Sequence, residues 1–142
     1  MIGVDCWDAV YNYSKALCEK NAAREGVASR CVFQHGDAKQ LDFPDESFDV
    51  VISNYVYHNV MGADMQKLLL ESLRVLKKGG VFALNDDMKP KMYGDMKGFA
   101  QKLRDMGYEE VRLVDTAQEA FGSHRRAAMM MLGSSRLLVG RK

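Results

Sequence analysis

Apolar residues along this chain follow two habits, short unbroken runs and stretches with spacings of three and four. Ile2 to Cys6 is a short apolar run ending on an acid, and it predicts a strand. From about Asp8 to Arg24 the spacing turns helical. Val10, Tyr13, Ala16 and Leu17 share one face, and Lys15, Glu19, Lys20 and Arg24 are solvated. Asp8 is placed to cap this helix and Gly26 to stop it. Arg30 to Gln34 reads as a second strand, closed by His35-Gly36-Asp37.

The turn-rich segment from Leu41 to Ser47 leads into Phe48 to Asn54. Its consecutive apolar residues suit a parallel strand covered on both faces. Asp64 to Leu76 is the most regular helix, with Met65, Leu68, Leu69, Leu73 and Leu76 on one face. Lys77 and Lys78 sit at its negative end, and Gly79-Gly80 turn the chain. Val81 to Leu84 predicts a further buried strand and Met96 to Met106 a helix. Glu110 to Asp115 and Arg136 to Val139 predict the last strands, while Thr116 to Gly133 has no clear pattern. Strands separated by helices imply βαβ units and an α/β, doubly wound, mostly parallel sheet.

Composition narrows the class without changing the fold. The 142 residues suit one compact domain, and 47% apolar with 27% charged content is that of a globular protein. Twenty basic against 19 acidic residues leave a net charge of +1, so no basic footprint for nucleic acid is present. No window approaches the apolar length of a membrane span, and the first residues lack the charged-then-apolar order expected of a signal peptide. Cys6, Cys18 and Cys31 show no CxxC spacing and are expected as thiols buried like small hydrophobes in a reducing cytoplasm. His35, His58 and His124 are scattered, and no metal site is expected. Met129-Met130-Met131 is expected to fill core, with an exposed dimer surface or a substrate pocket as alternatives.

In a doubly wound sheet, ligands bind beyond the carboxyl ends of the strands. The residues there are Asp5-Cys6-Trp7, Gly36-Asp37-Ala38, Ser53-Asn54-Tyr55 and Asn85-Asp86-Asp87. A carboxylate after an early strand can accept from both hydroxyls of a ribose, and one after a glycine turn from an exocyclic amine. Each acid could equally cap the next helix. Their joint appearance at successive strand ends favours a nucleotide pocket.

Gly3-Val4-Asp5, Gly36-Asp37-Ala38, and the run from Leu41 through Phe43-Pro44-Asp45-Glu46-Ser47-Phe48-Asp49 to Asn54 resemble class I methyltransferases of the small-molecule type. So does Arg74 to Gly80 followed by Val81 to Leu84. The resemblance implies a Rossmann-like fold and S-adenosylmethionine as cofactor. It implies that Asp5 holds the ribose, that Cys6 and Trp7 line the adenosine, and that Gly36, Asp37 and Ala38 meet the adenine. It also implies that Asn54 and Tyr55 border the methionine end and the reacting methyl. Catalysis in that family is largely positioning, and no catalytic residue is assigned. His58 reads either as a base or, in the favoured reading, as a polar residue at the mouth of a loop.

Family members begin with a strand and a Gly-x-Gly-like loop ahead of the strand matched by Ile2 to Asp5. This chain has neither. The expectation is a single methyltransferase-like domain over residues 1–142, truncated at its amino terminus, with a sheet missing its first strand. Three outcomes follow: direct pairing of the two orphaned strands, a dimer that adds elements, or a piece of a longer protein. A homodimer or rearranged sheet is favoured. The expected function is methyl transfer to a small molecule, impaired by the absent loop. The alternative is a non-catalytic remnant serving as a binding or dimerisation module.

Overall fold

The structure is a computed structural model that describes residues 1–7 and 14–142. Most of the span expected to begin the first helix, Asp8 to Tyr13, lies outside the described residues, including the cap expected at Asp8. The chain divides into two compact units, Met1–Asp42 and Phe43–Lys142.

The first unit is a small βαβ element. Strand β1 (Ile2–Asp5) pairs in parallel with β2 (Val32–His35), from Ile2 opposite Val32 to Asp5 opposite His35. Between them runs α1 (Lys15–Arg24), capped by Ser14, whose Oγ accepts the Leu17 N–H at 3.2 Å. Only Ala22 of α1 is buried. The three cysteines are free thiols, and the expectation that they are buried is not met. Cys6 is exposed, and Cys18 and Cys31 are half-buried, because the elements that carry them leave little interior.

In the second unit, β3 (Phe48–Asn54), α2 (Met65–Arg74), β4 (Leu76–Asp87), a short α3 (Pro90–Tyr93) and α4 (Met96–Asp105) follow in order. Then come β5 (Glu109–Val114), α5 (Thr116–Phe121), α6 (His124–Met129) and β6 (Ser135–Arg141). The sheet order is β3-β4-β6-β5. Strands β3 and β4 are parallel, and β6 runs antiparallel to both β4 and β5. The stretch from Thr116 to Gly133 holds two short capped helices. Asp115 accepts from Gln118 N–H and Ser123 from Arg126 N–H.

Helices α2 and α4 form where acid caps precede apolar positions of period 3.6. Asp64 Oδ1 accepts the Lys67 N–H at 3.2 Å, and Asp95 Oδ1 accepts from Lys97 and Gly98 at 3.0 Å. The buried faces are Met65, Leu68, Leu69 and Leu73 of α2, and Met96, Phe99, Ala100 and Leu103 of α4. With Phe82 and Leu84 of β4 and Leu138 of β6 they make the core. The last carbonyls of α2 are met by the far end of the chain: Lys142 Nζ donates to Leu73 at 3.0 Å and Arg74 at 3.3 Å. That place was expected for Lys77 and Lys78. Lys77 instead pairs with Asp49 at 2.9 Å and holds that carboxyl below its ordinary range. The expected turn at Gly79-Gly80 falls inside β4, with Gly79 at φ +77° and the register to β3 shifted there.

The motif from Phe43 to Asp49 has a mechanical role. Phe43 and Phe48 meet edge to face at 4.9 Å. Arg74 Nη1 donates to the Phe43 carbonyl at 2.8 Å and to Asp45 at 2.6 Å, tying the loop to the end of α2.

Two expectations fail on burial. Strand β3 is not covered on both faces: Val50 is 56% exposed and Ile52 70% exposed. Among the described residues β3 pairs with β4 alone, at the edge of its sheet. Met129, Met130 and Met131 are exposed rather than core, because α6 is too short to carry them under the sheet.

Candidate functional site

In the first unit the expected residues sit where the chain leaves two neighbouring parallel strands. Asp5 closes β1, and its Oδ1 accepts the Trp7 N–H at 3.0 Å. Asp37 makes the same local bond, Oδ1 to the Lys39 N–H at 2.8 Å. Both acids therefore shape turns rather than cap helices, since the cap of α1 is Ser14. Both are exposed, as is Cys6, while Trp7, Gly36 and Ala38 are half-buried. Trp7 has φ +41°, and its indole N–H is buried with no partner among the described residues. Gly36 donates its N–H to the Asp5 carbonyl at 3.1 Å. A Cβ there would lie 2.6 Å from Val4 Cγ1, so a side chain at this position would collide with β1.

In the second unit a polar network forms at the carboxyl ends of β3 and β4. Asn54 Oδ1 accepts from Asn85 Nδ2 at 2.8 Å, and the Tyr55 N–H donates to the Asn85 carbonyl at 2.8 Å. Tyr55 has φ +54°, a left-handed conformation that costs a non-glycine residue energy and marks a constrained site. Its hydroxyl meets Ser135 Oγ at 2.6 Å, and Ser135 Oγ meets Thr116 Oγ1 at 2.7 Å.

Beside this network stands a pair that sequence reasoning did not join. Asp86 is 0% exposed, and its Oδ2 accepts the N–H groups of Tyr57 at 2.8 Å and His58 at 3.3 Å. Its Oδ1 accepts the Asp87 N–H at 2.7 Å and faces His58 Nδ1 at 2.5 Å. His58 lies in a single 3-10 turn, Tyr57–Asn59, just past β3. The sequence signals were present separately: two acids after an apolar run, and a histidine four residues beyond Asn54. Nothing local joins positions 28 residues apart.

Buried phenols surround the pair. Tyr57 bonds Ser72 Oγ at 2.8 Å, and burial pushes its hydroxyl above the ordinary phenol value. Tyr93 of α3 is pushed up by burial and then by the nearby Asp86 charge, without reaching hydrogen-bond geometry. A cleft of about 350 Å³ opens past β4, lined among others by Met88, Met96, Leu113 and Ser134. Among the described residues no cluster of three or more His, Cys, Asp or Glu could hold a metal ion. No helix there is long and apolar enough to cross a membrane.

The family model described as "Methyltransferase domain" matches residues 1–84. The chain belongs to this methyltransferase family. An uncharacterized methyltransferase of Bacillus subtilis, YcgJ, is 29% identical over 128 residues, 89% of this chain and 48% of the relative. The 27-O-demethylrifamycin SV methyltransferase of Amycolatopsis mediterranei is 31% identical over 107 residues, 75% of this chain and 38% of the relative. The chain thus spans about half the length, or less, of these relatives. A solved geranyl diphosphate methyltransferase in complex with S-adenosylmethionine superposes with a TM-score of 0.65. It is 14% identical and covers 99% of this chain and 67% of that one. The fold is the Rossmann-like methyltransferase fold, and the family implies S-adenosylmethionine as methyl donor.

The residues present fit that donor. Asp5 and Asp37 are exposed carboxylates, each with one oxygen held by its own turn, and their second oxygens have no partner among the described residues. Those are the acceptors that a nucleoside with two hydroxyls and an amine needs.

Proposed function

We propose that this chain binds S-adenosylmethionine and carries the transfer of its methyl group to a small molecule. The observation that carries the reading is the matched pair of turns in which Asp5 and Asp37 present carboxylates beyond two adjacent parallel strands. Asp5 accepts from the ribose hydroxyls, with Cys6 and Trp7 against the adenosine. Gly36 lets the second turn close up, Asp37 accepts from the adenine amine, and the Ala38 backbone meets the ring. For the second unit taken by itself, the family resemblance is the ground for proposing Asn54 and Tyr55 at the methionine end. When bound, the cofactor supplies a methyl already activated on a sulfonium, so the protein's task is alignment and exclusion of water. A small acceptor accords with the rifamycin-modifying relative, and the net charge of +1 gives no reason to look for nucleic acid.

Calorimetric titration with S-adenosylmethionine is expected to show binding at micromolar strength. Asp37→Ala should weaken it about 10- to 100-fold, as loss of a charged hydrogen bond implies. No heat and no thermal shift would instead leave a binding or dimerisation module.

We also propose that the chain is a homodimer. Val50 and Ile52 project from an edge strand, and exposed apolar edges favour pairing with another chain. Light scattering during size exclusion should give twice the chain mass, and Ile52→Lys should return it to one. A wild-type monomer at high concentration would refute the dimer.

A further inference from the structure

In the second unit the exposed methionines gather at one end of the sheet. Strands β3 and β4 are parallel and β6 runs against β4, so the carboxyl ends of β3 and β4 lie at the same end as the start of β6. Met61 follows β3 there, Met92 follows β4 in α3, and Met129, Met130 and Met131 lead into β6. All five are between 41% and 88% exposed. Met106 is the other exposed methionine of the unit, and it ends α4 at the opposite end, ahead of β5. One methionine in water needs no explanation, but five at one end make an apolar patch. The fold does not require them. Met131 has φ +62°, where glycine would be unstrained, yet it carries a long side chain that the unit leaves in solvent.

The charges beside the patch have one uncommitted sign. Lys91 precedes Met92, and Arg125 and Arg126 stand one turn before Met129. All three are exposed, with no side-chain partner among the described residues. The acids nearest to Met61 and Met92 are held by main-chain N–H groups, Asp64 as the cap of α2 and Asp95 as the cap of α4. Over residues 116–133 the chain has His124, Arg125 and Arg126 against a single acid, Glu119.

The shape of the patch decides what covers it. A protein strand or helix docks on a rigid row of anchors at regular spacing. Here the methionines stand on three short, separate pieces: beyond a 3-10 turn, in a four-residue helix and at the end of a six-residue helix. Unbranched, flexible side chains on such pieces suit a fluid surface that each can enter alone. We propose that this end of the second unit docks on the anionic surface of a lipid bilayer. The methionines enter the boundary between headgroups and acyl chains, and Lys91, Arg125 and Arg126 meet the lipid phosphates. The association is peripheral, because no helix among the described residues is long and apolar enough to cross a membrane. It goes beyond the methyl-transfer reading and does not depend on it, since neither donor nor acceptor takes part.

The test is flotation of the whole chain with lipid vesicles. Vesicles of phosphatidylcholine with about one-third phosphatidylglycerol should carry the chain up the gradient, and pure phosphatidylcholine should carry about tenfold less. Sodium chloride at about 0.5 M should remove most of that difference. Arg125→Ala and Arg126→Ala together should weaken binding to the anionic vesicles about 10-fold or more. Met129→Ser, Met130→Ser and Met131→Ser in combination should do the same, at an unchanged urea midpoint because none of the three is buried. Oxidation by hydrogen peroxide, read by mass spectrometry, locates the contact. Anionic vesicles should slow oxidation of Met129, Met130 and Met131 about threefold or more, while Met106 oxidises as before. Equal binding to neutral and anionic vesicles, or binding to neither, would overturn the proposal. So would vesicle binding that neither set of substitutions weakens. Protection of the same methionines that rises with protein concentration and needs no lipid would overturn it in favour of a second copy of the chain. Vesicle binding without any heat from S-adenosylmethionine would support the docking surface and remove only the methyl-transfer reading.

Discussion

Asp86→Ala is expected to lower the stability of this chain by about 3–5 kcal/mol, as loss of one partner of a buried charged group does. The reason lies in what stays behind. The main-chain N–H groups of Tyr57, His58 and Asp87 all end on this one fully buried carboxylate, and alanine accepts from none of them. Each unsatisfied buried donor costs about 1–3 kcal/mol, with the losses overlapping because all three groups relax together. The turn that carries His58 is only three residues long and has no side-chain cap of its own, so this carboxylate takes that role. Asp86→Asn keeps one acceptor oxygen and should cost roughly half as much. Urea unfolding reads both, as a lower midpoint at unchanged slope. A loss below about 1 kcal/mol for the alanine variant would show that water or main-chain shifts replace the carboxylate.

The strand ends were legible because a doubly wound sheet puts chemistry after apolar runs. Asp5, Asp37, Asn54 and Asp86 all fall there, at the closing positions of β1, past β2, and at the ends of β3 and β4. The period of α2 was legible for the same local reason. What could not be read depends on distant partners. Lys142 reaches the end of α2 across 69 positions, and His58 finds Asp86 across 28. The exposure of Val50 and Ile52 was equally hidden. An apolar run says that a strand can be buried on both faces, and only the sheet order says whether it is. Strand direction was illegible at β6, because Arg136 to Val139 reads the same whether the strand runs with β4 or against it.

Phe82→Ala should cost about 3–5 kcal/mol, as large-to-small changes of buried aromatics do. Phe82 is 1% exposed on the helix-covered face of β4, edge-on to Tyr108 at 6.1 Å. Opposite it in the antiparallel register to β6 is Gly140, and the two are matched in size. A Cβ on Gly140 would lie 2.8 Å from Phe82 Cζ and 3.0 Å from Cε1, so the ring occupies the space a side chain would take. A glycine inside a strand otherwise weakens it, and here it makes room for the largest side chain of the central strand. Gly140→Ala alone should therefore destabilise by about 1–3 kcal/mol through overpacking. In the Phe82→Ala background most of that obstacle is gone, with only the Glu109 carbonyl oxygen at 3.1 Å still close. The double variant should then be more stable than the sum of the two losses predicts, by about 1 kcal/mol or more. Urea unfolding of the wild type, both single variants and the double variant measures the coupling. Additivity within about 0.3 kcal/mol would mean that the aromatic ring and the glycine are independent, and that the strand tolerates alanine by moving its backbone instead.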